Sequence, residues 1–168
     1  MDLERIEKKL REARFFLDKM RDQVGRAFGD KEPFDYYLSA CLGAARSVDY
    51  RLRHEQPTYK EWRKNWDASL TPSEAGLIKF LVDDRNFEVH KSGSTRGVKT
   101  EELKIAGSYS DKSGTVEVFG PPGMPPAHII KPAYFFTIDG VDRKATEACA
   151  EYLMLLERML AEFKAAHP

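Results

Sequence analysis

The sequence predicts a mainly α fold: an antiparallel four-helix bundle with a small antiparallel β-sheet inserted between its third and fourth helices. Two observations carry this expectation. Four stretches place apolar residues on one helix face, three of them at strictly alternating spacings of three and four, as an amphipathic helix on a core requires. Between the third and fourth stretches the composition turns to glycine, proline and serine, interrupted by short β-type runs. At 168 residues, 42% hydrophobic and 32% charged, the chain has the size and apolar content of one domain with a sizeable core. The bundle is expected over residues 1–91 and 140–166 and the insertion over about 98–139.

Leu3, Ile6, Leu10, Ala13, Leu17, Met20 and Val24 form the first seam, on a helix that should run to about Phe28 and stop at Gly29-Asp30. After Pro33, the residues Phe34, Leu38, Cys41, Ala45, Val48 and Leu52 repeat the spacing, and the short link makes the two helices antiparallel neighbours. Pro57 ends the second helix. Thr58 with Glu61 reads as a capping box opening a short helix whose Trp62, Trp66 and Leu70 act as packing anchors of a lid over the bundle end. Thr71-Pro72-Ser73-Glu74 is a second capping box with proline at the first helical position, opening the third long helix to about His90. Its apolar stripe is read as Ile78, Val82 and Val89. In the insertion, Leu103–Tyr109, Thr115–Phe119 and Ala133–Ile138 are expected strands, with Asp111 to Gly114 as a hairpin turn and Pro121 to Pro126 as loop. Ala145, Cys149, Tyr152, Leu156, Met159 and Phe163 form the last seam. Leu17, Leu38, Val82 and Leu156 are the expected core markers.

Twenty-seven basic residues balance 27 acidic ones, which excludes a broadly basic nucleic-acid-binding protein and leaves room only for a local basic patch. The amino-terminal segment is charged from its second residue and no apolar run approaches the ~20 residues of a membrane span. A cytoplasmic protein without membrane contact is expected. Cys41 and Cys149 lie on apolar seams and read as buried free thiols, with no metal site implied.

Chemistry is expected in Asp83 to Lys91, DDRNFEVHK, at the end of the third long helix. At 100° per residue Lys79, Asp83, Asn86 and His90 fall within about 60° of one another, while Arg85 stands about 140° from His90. Arginine keeps its charge and grips phosphate oxygens with a planar fork, and histidine titrates near neutral pH. The competing account has His90 favoured at the helix carboxyl end and Arg85 paired with Asp83, Asp84 or Glu88. On the second helix, Ser39, Arg46, Asp49 and Tyr50 border the seam and read as ordinary bundle polarity.

These residues resemble the HEPN superfamily, helical bundles whose ribonuclease members carry an arginine, four to six residues and then a histidine on the third helix, with a polar residue directly after the arginine. Arg85-Asn86-Phe87-Glu88-Val89-His90 fits that pattern, and the resemblance covers about two thirds of the chain, the inserted sheet lying outside it. The resemblance implies a metal-independent RNA endonuclease of toxin or defence type, without a cofactor, in which His90 is general acid or base and Arg85 and Asn86 hold the phosphate. Lys79, Asp83, Lys91 and Arg96 are the candidate substrate contacts. It also implies a two-fold homodimer whose cleft gathers both motifs, flanked by Val82 and Val89, and a separately encoded nucleotidyltransferase-like antitoxin as partner. The alternatives are a non-catalytic module of this kind that binds nucleotides or a partner protein, and a purely structural dimerisation bundle.

Overall fold

The computed structural model describes residues 3–25, 31–87, 95–105, 108–109, 116–117 and 127–167. Helix α1 spans Glu4–Val24, α2 Lys31–Glu55, α3 Tyr59–Ser69, α4 Pro72–Phe87 and α5 Ala145–Ala166. Strands β1 (Gly97–Ile105), β2 (Ser108–Tyr109), β3 (Val116–Glu117), β4 (Ala127–Ile138) and β5 (Val141–Lys144) lie between α4 and α5. The protein is therefore mainly helical with a small antiparallel sheet in the expected place. Among the described residues no helix is long and apolar enough to cross a membrane.

Three of the four seams are buried as their spacing demands. On α1 only Val24 of the seven seam residues is left half-buried, and every seam residue of α2 and α5 is buried. Pairs of Lys164 with Glu7 and of Arg14 with Glu157 set α5 antiparallel to α1. The third seam departs from expectation. On α4 the buried apolar residues are Leu77 and Leu81, at 2% and 1% exposure, whereas Ile78 and Val82 are half-buried and line a cavity. The helix carries Leu77, Ile78, Phe80, Leu81 and Val82 almost all round, so no periodic stripe decides its orientation; packing against neighbouring elements does.

The two expected capping boxes also part company. Thr71 donates its backbone N–H to Glu74 Oε2 at 2.8 Å and Glu74 returns its N–H to Thr71 Oγ1 at 3.3 Å, closing the box at the start of α4. At Thr58 no side-chain cap forms, because the backbone there is already in the helical region and Glu61 is engaged with Lys64. Helix α3 is held instead by its aromatic face: Tyr59 and Trp62 meet the Phe163 ring of α5 edge-on at 5.3 and 5.1 Å, and Trp66 is buried. The lid expected over the bundle end is present.

The main sheet has the order β1-β4-β5, all antiparallel, with Gly97 opposite Phe135 and Phe135 opposite Lys144. Strand β4 starts earlier than the sequence suggested and runs through Pro132, and β1 occupies residues expected as loop. A Cβ at Gly97 would run into the Phe135 ring, so glycine there lets an aromatic ring lie across the neighbouring backbone. Alternate residues Tyr134, Phe136 and Ile138 face the helices; Tyr134 stacks on Phe34 of α2 at 3.7 Å and Phe136 meets Phe80 of α4 edge-on. Strand β5 was not anticipated, although Asp139-Gly140, with φ of 51° and 78°, is the dipeptide that makes a two-residue hairpin turn. Strands β2 and β3 pair antiparallel, as the expected hairpin requires; its turn residues and the Pro121–Pro126 segment lie outside the described residues.

Candidate functional site

Arg46, Asp49 and Arg53 follow one another at three and four residues on α2 and so share a face beside the seam. Pro57 breaks the chain, and α3 returns across this face with Tyr59 and Arg63. Asp49, 4% exposed, becomes the centre of the group. Its Oδ1 accepts the Tyr59 hydroxyl at 2.7 Å and Arg63 Nη1, and its Oδ2 accepts Arg53 Nε at 2.7 Å and Arg46 Nη1 at 3.1 Å. Arg63, 7% exposed, also donates its Nε to Asp67 at 2.7 Å, and Met159 Sδ of α5 lies 3.1 Å from both Tyr59 Oη and Arg63 Nη1.

Burial pushes the Asp49 carboxyl up, yet hydrogen bonds from Arg53 and Tyr59, with the charges of Arg63 and Arg53, outweigh it and hold the group below its ordinary range. The Tyr59 phenol is pushed up by burial and then by the Asp49 charge. Burial acts to lower Arg63, but Tyr59 and Asp49 more than offset it, so the guanidinium is held above its ordinary range. One carboxylate thus serves three guanidinium groups, and each arginine retains donors that Asp49 does not use.

These arginines form one wall of a cavity of about 340 Å³ closed by α2, α3, α4 and α5. Leu70, Ile78, Val82 and Leu156 contribute apolar lining, and Lys79 and Asp83 of α4 also line the cavity. Lys79 and Asp83 also line a second cavity, of about 360 Å³, between α4 and the β4–β5 turn. Neither makes a hydrogen bond or ion pair among the described residues. Tyr152 of α5 reaches the first cavity, 3% exposed, and its hydroxyl has no hydrogen-bond partner. Trp66 Nε1 is the single fully enclosed side-chain polar atom left unpaired among the described residues, so the Tyr152 hydroxyl meets open cavity. Burial, then the Asp49 charge, pushes this phenol up and keeps it a donor.

The residues singled out in the sequence divide into four sets. Lys79 and Asp83 stand together on the cavity lining, with half-buried Val82 on the same lining. Arg85, half-buried, and Asn86, exposed, occupy the last described turn of α4, and neither makes a hydrogen bond or ion pair among the described residues. Of the partners that the competing account offered Arg85, Asp83 and Asp84 do not pair with it, and Glu88 lies outside the described residues. His90, Lys91 and Val89 lie outside the described residues. Arg96 is engaged elsewhere: it grips both oxygens of Asp35 on α2 and its guanidinium lies 4.9 Å from the Tyr134 ring centre, fastening β1 to the helices.

Two features escaped the sequence reading. Asp84 is 3% exposed and its Oδ1 accepts the backbone N–H of Thr95 at 2.7 Å and the Thr95 hydroxyl at 2.5 Å. It therefore joins the carboxyl end of α4 to the start of β1. Of the arginine wall the sequence reading named only Arg46 and Asp49, as ordinary bundle polarity; Arg53 was passed over, and completion by Tyr59 and Arg63 depends on α3 folding back, which no local pattern announces. No family model, curated protein or solved structure matches the chain.

Proposed function

We propose that the protein is a metal-independent RNA endonuclease of toxin or defence type, built as a HEPN-like antiparallel bundle in which Arg85 and Asn86 hold the scissile phosphate and His90 transfers protons. The observation that carries this reading is the state of Arg85. The arginines lining the cavity and Arg96 are each bonded to carboxylates, whereas Arg85 is half-buried in the last described turn of α4 and bonds to none among the described residues. Holding a guanidinium partly desolvated without a carboxylate is unfavourable unless an anion is met there. Asn86 follows it on the exposed side.

In the proposed reaction the RNA 2′-hydroxyl attacks the adjacent phosphorus as its proton passes to a base, and the bond to the 5′-oxygen breaks as that oxygen takes a proton from an acid. The products carry a 2′,3′-cyclic phosphate and a 5′-hydroxyl. Arg85 offsets charge building on the phosphoryl oxygens. Arg85 and His90 diverge by about 140° on a continued helix, so two chains around a two-fold axis would supply a base and an acid to one phosphate.

The test is cleavage of a labelled oligoribonucleotide in excess EDTA. Cleavage should survive chelation, leave DNA intact, and fall by about 10²-fold or more in His90→Ala and in Arg85→Ala. Products ending in a 3′-hydroxyl, or a requirement for magnesium, refute the mechanism. Mixing the two inactive variants should restore activity if the site is shared between chains and leave it absent if each chain acts alone.

A further inference from the structure

We infer that the cavity between α2, α3, α4 and α5 binds a small phosphate monoester carrying an apolar body, a site whose described lining does not include Arg85. Four cations, Arg46, Arg53, Arg63 and Lys79, meet three carboxylates, Asp49, Asp67 and Asp83, across its lining, so the cavity is net positive. That excess is not loosely placed. Arg63 is fixed in a buried position by Asp49 and Asp67, and Arg46 and Arg53 are held from the side by Asp49, which leaves forks of donors already ordered for an incoming anion.

A second, independent observation comes from α5. The Tyr152 side chain is 3% exposed, lines the same cavity and has no hydrogen-bond partner among the described residues. A buried hydroxyl without a partner is costly unless a ligand or solvent satisfies it. It sits within the field of both Asp49 and Arg46, on the α5 side of the cavity, where a ligand oxygen held by Arg46 would meet it.

The apolar wall sets the rest of the ligand. Ile78, Val82, Leu70 and Leu156 line the same cavity as the cations, and Ile78 and Val82 are the residues that the sequence assigned to the core but that the fold leaves half-buried. A cavity of about 340 Å³ exceeds what a bare phosphate fills and is at the small end of the sites that enclose organic ligands. The free Asp83 carboxylate at the edge would accept a hydroxyl or amino group on that body.

The test is calorimetric titration of the full chain, at low salt, with phenyl phosphate, AMP, inorganic phosphate, phenol and adenosine. Phenyl phosphate or AMP should bind saturably, at least about tenfold more tightly than inorganic phosphate, and the phosphate-free analogues should not bind at about 1 mM. Lys79→Met and Tyr152→Phe should each weaken binding about tenfold without altering the melting temperature beyond a few degrees. Lys79 is exposed, so its variant stays interpretable if Tyr152→Phe unfolds. An oligoribonucleotide with a 5′-hydroxyl offers only diester phosphates and should fail to displace phenyl phosphate; displacement by it assigns the cavity to an RNA strand and overturns the monoester assignment. Equal binding of inorganic phosphate and phenyl phosphate, no binding of any ester, or binding untouched by both substitutions also overturns it. The Arg85→Ala, His90→Ala double variant should bind like the wild type, so loss of the nuclease reading and loss of this site are read separately.

Discussion

Asp49→Asn is the sharpest perturbation of the arginine wall, because it preserves shape while removing the charge that four donors share. In the wild type the carboxylate accepts from Tyr59, Arg46, Arg53 and Arg63. The carboxamide offers one oxygen and turns an NH₂ toward guanidinium groups that can only donate. Arg46 and Arg53 can swing into water, being about one-third and two-fifths exposed; Arg63 cannot, and keeps Asp67 as its remaining carboxylate beside the Tyr59 hydroxyl. Breaking a buried pair costs about 3–5 kcal/mol, and the retained Asp67 contact places the expected loss near the lower bound, about 3 kcal/mol. For a chain of this size that corresponds to about 6–12 °C in melting temperature. Urea denaturation followed by circular dichroism gives the value, with an unchanged slope showing that the unfolded state is not the cause. Asp67→Asn, at a half-exposed carboxylate, should cost under about 1 kcal/mol. An Asp49→Asn loss below about 1 kcal/mol would mean that the arginines are solvated in practice, and the preordered anion wall would fail with it.

The Glu74 carboxyl is lowered from 4.5 to about 2 by the Thr71 backbone N–H, then by Arg158 and the Thr71 hydroxyl; its stabilisation is complete above the unfolded value near 4.5 and is lost as pH falls through about 2. Glu74→Gln should therefore lower the urea midpoint at pH 7 and 5, and the two proteins should converge at about pH 2. Leu81→Ala should cost about 2–5 kcal/mol and Val82→Ala under about 1.5 kcal/mol, the reverse order restoring the stripe read from sequence. Leu38→Ala, at a fully buried seam position, should match Leu81→Ala. Arg96→Lys keeps the charge but loses the fork on Asp35; exchange of β1 amides should accelerate while α1 and α5 amides stay protected, and uniform acceleration would count against a local fastening.

Legibility followed the locality of the physics. The seams of α1, α2 and α5 were read correctly because each needs only one period and one buried face, as Leu17, Leu38 and Leu156 show. Val82 was misplaced because α4 is apolar on several sides, and which side is buried is decided by packing against elements far away in sequence: Leu81 is buried and Val82 lines the cavity. The box at Thr71 formed and the one at Thr58 did not, since identical letters meet different backbone angles. Lys79 and Asp83 share a helix face, as their phase required, and both line the cavity, whereas Arg63 and Tyr152 reach it from α3 and α5 and became visible only in three dimensions. Arg96 looked like a cation offered to RNA because nothing in its neighbourhood names Asp35.

The bond from Asp84 to Thr95 has a consequence for the chain it spans. Ten residues, Arg85 to Ser94, begin and end at one buried carboxylate, so Arg85, Asn86, His90 and Lys91 all belong to a closed ring of backbone whatever path it follows. Closing a ring of about ten residues removes conformational freedom that grows only as the logarithm of its length, which means that several residues could be inserted near Gly93 at a cost of well under 1 kcal/mol. Asp84→Ala would do the opposite, leaving every member of the ring in place while releasing its two ends from each other. Insertion and release therefore separate the identity of the ring's residues from the confinement that the knot imposes on them.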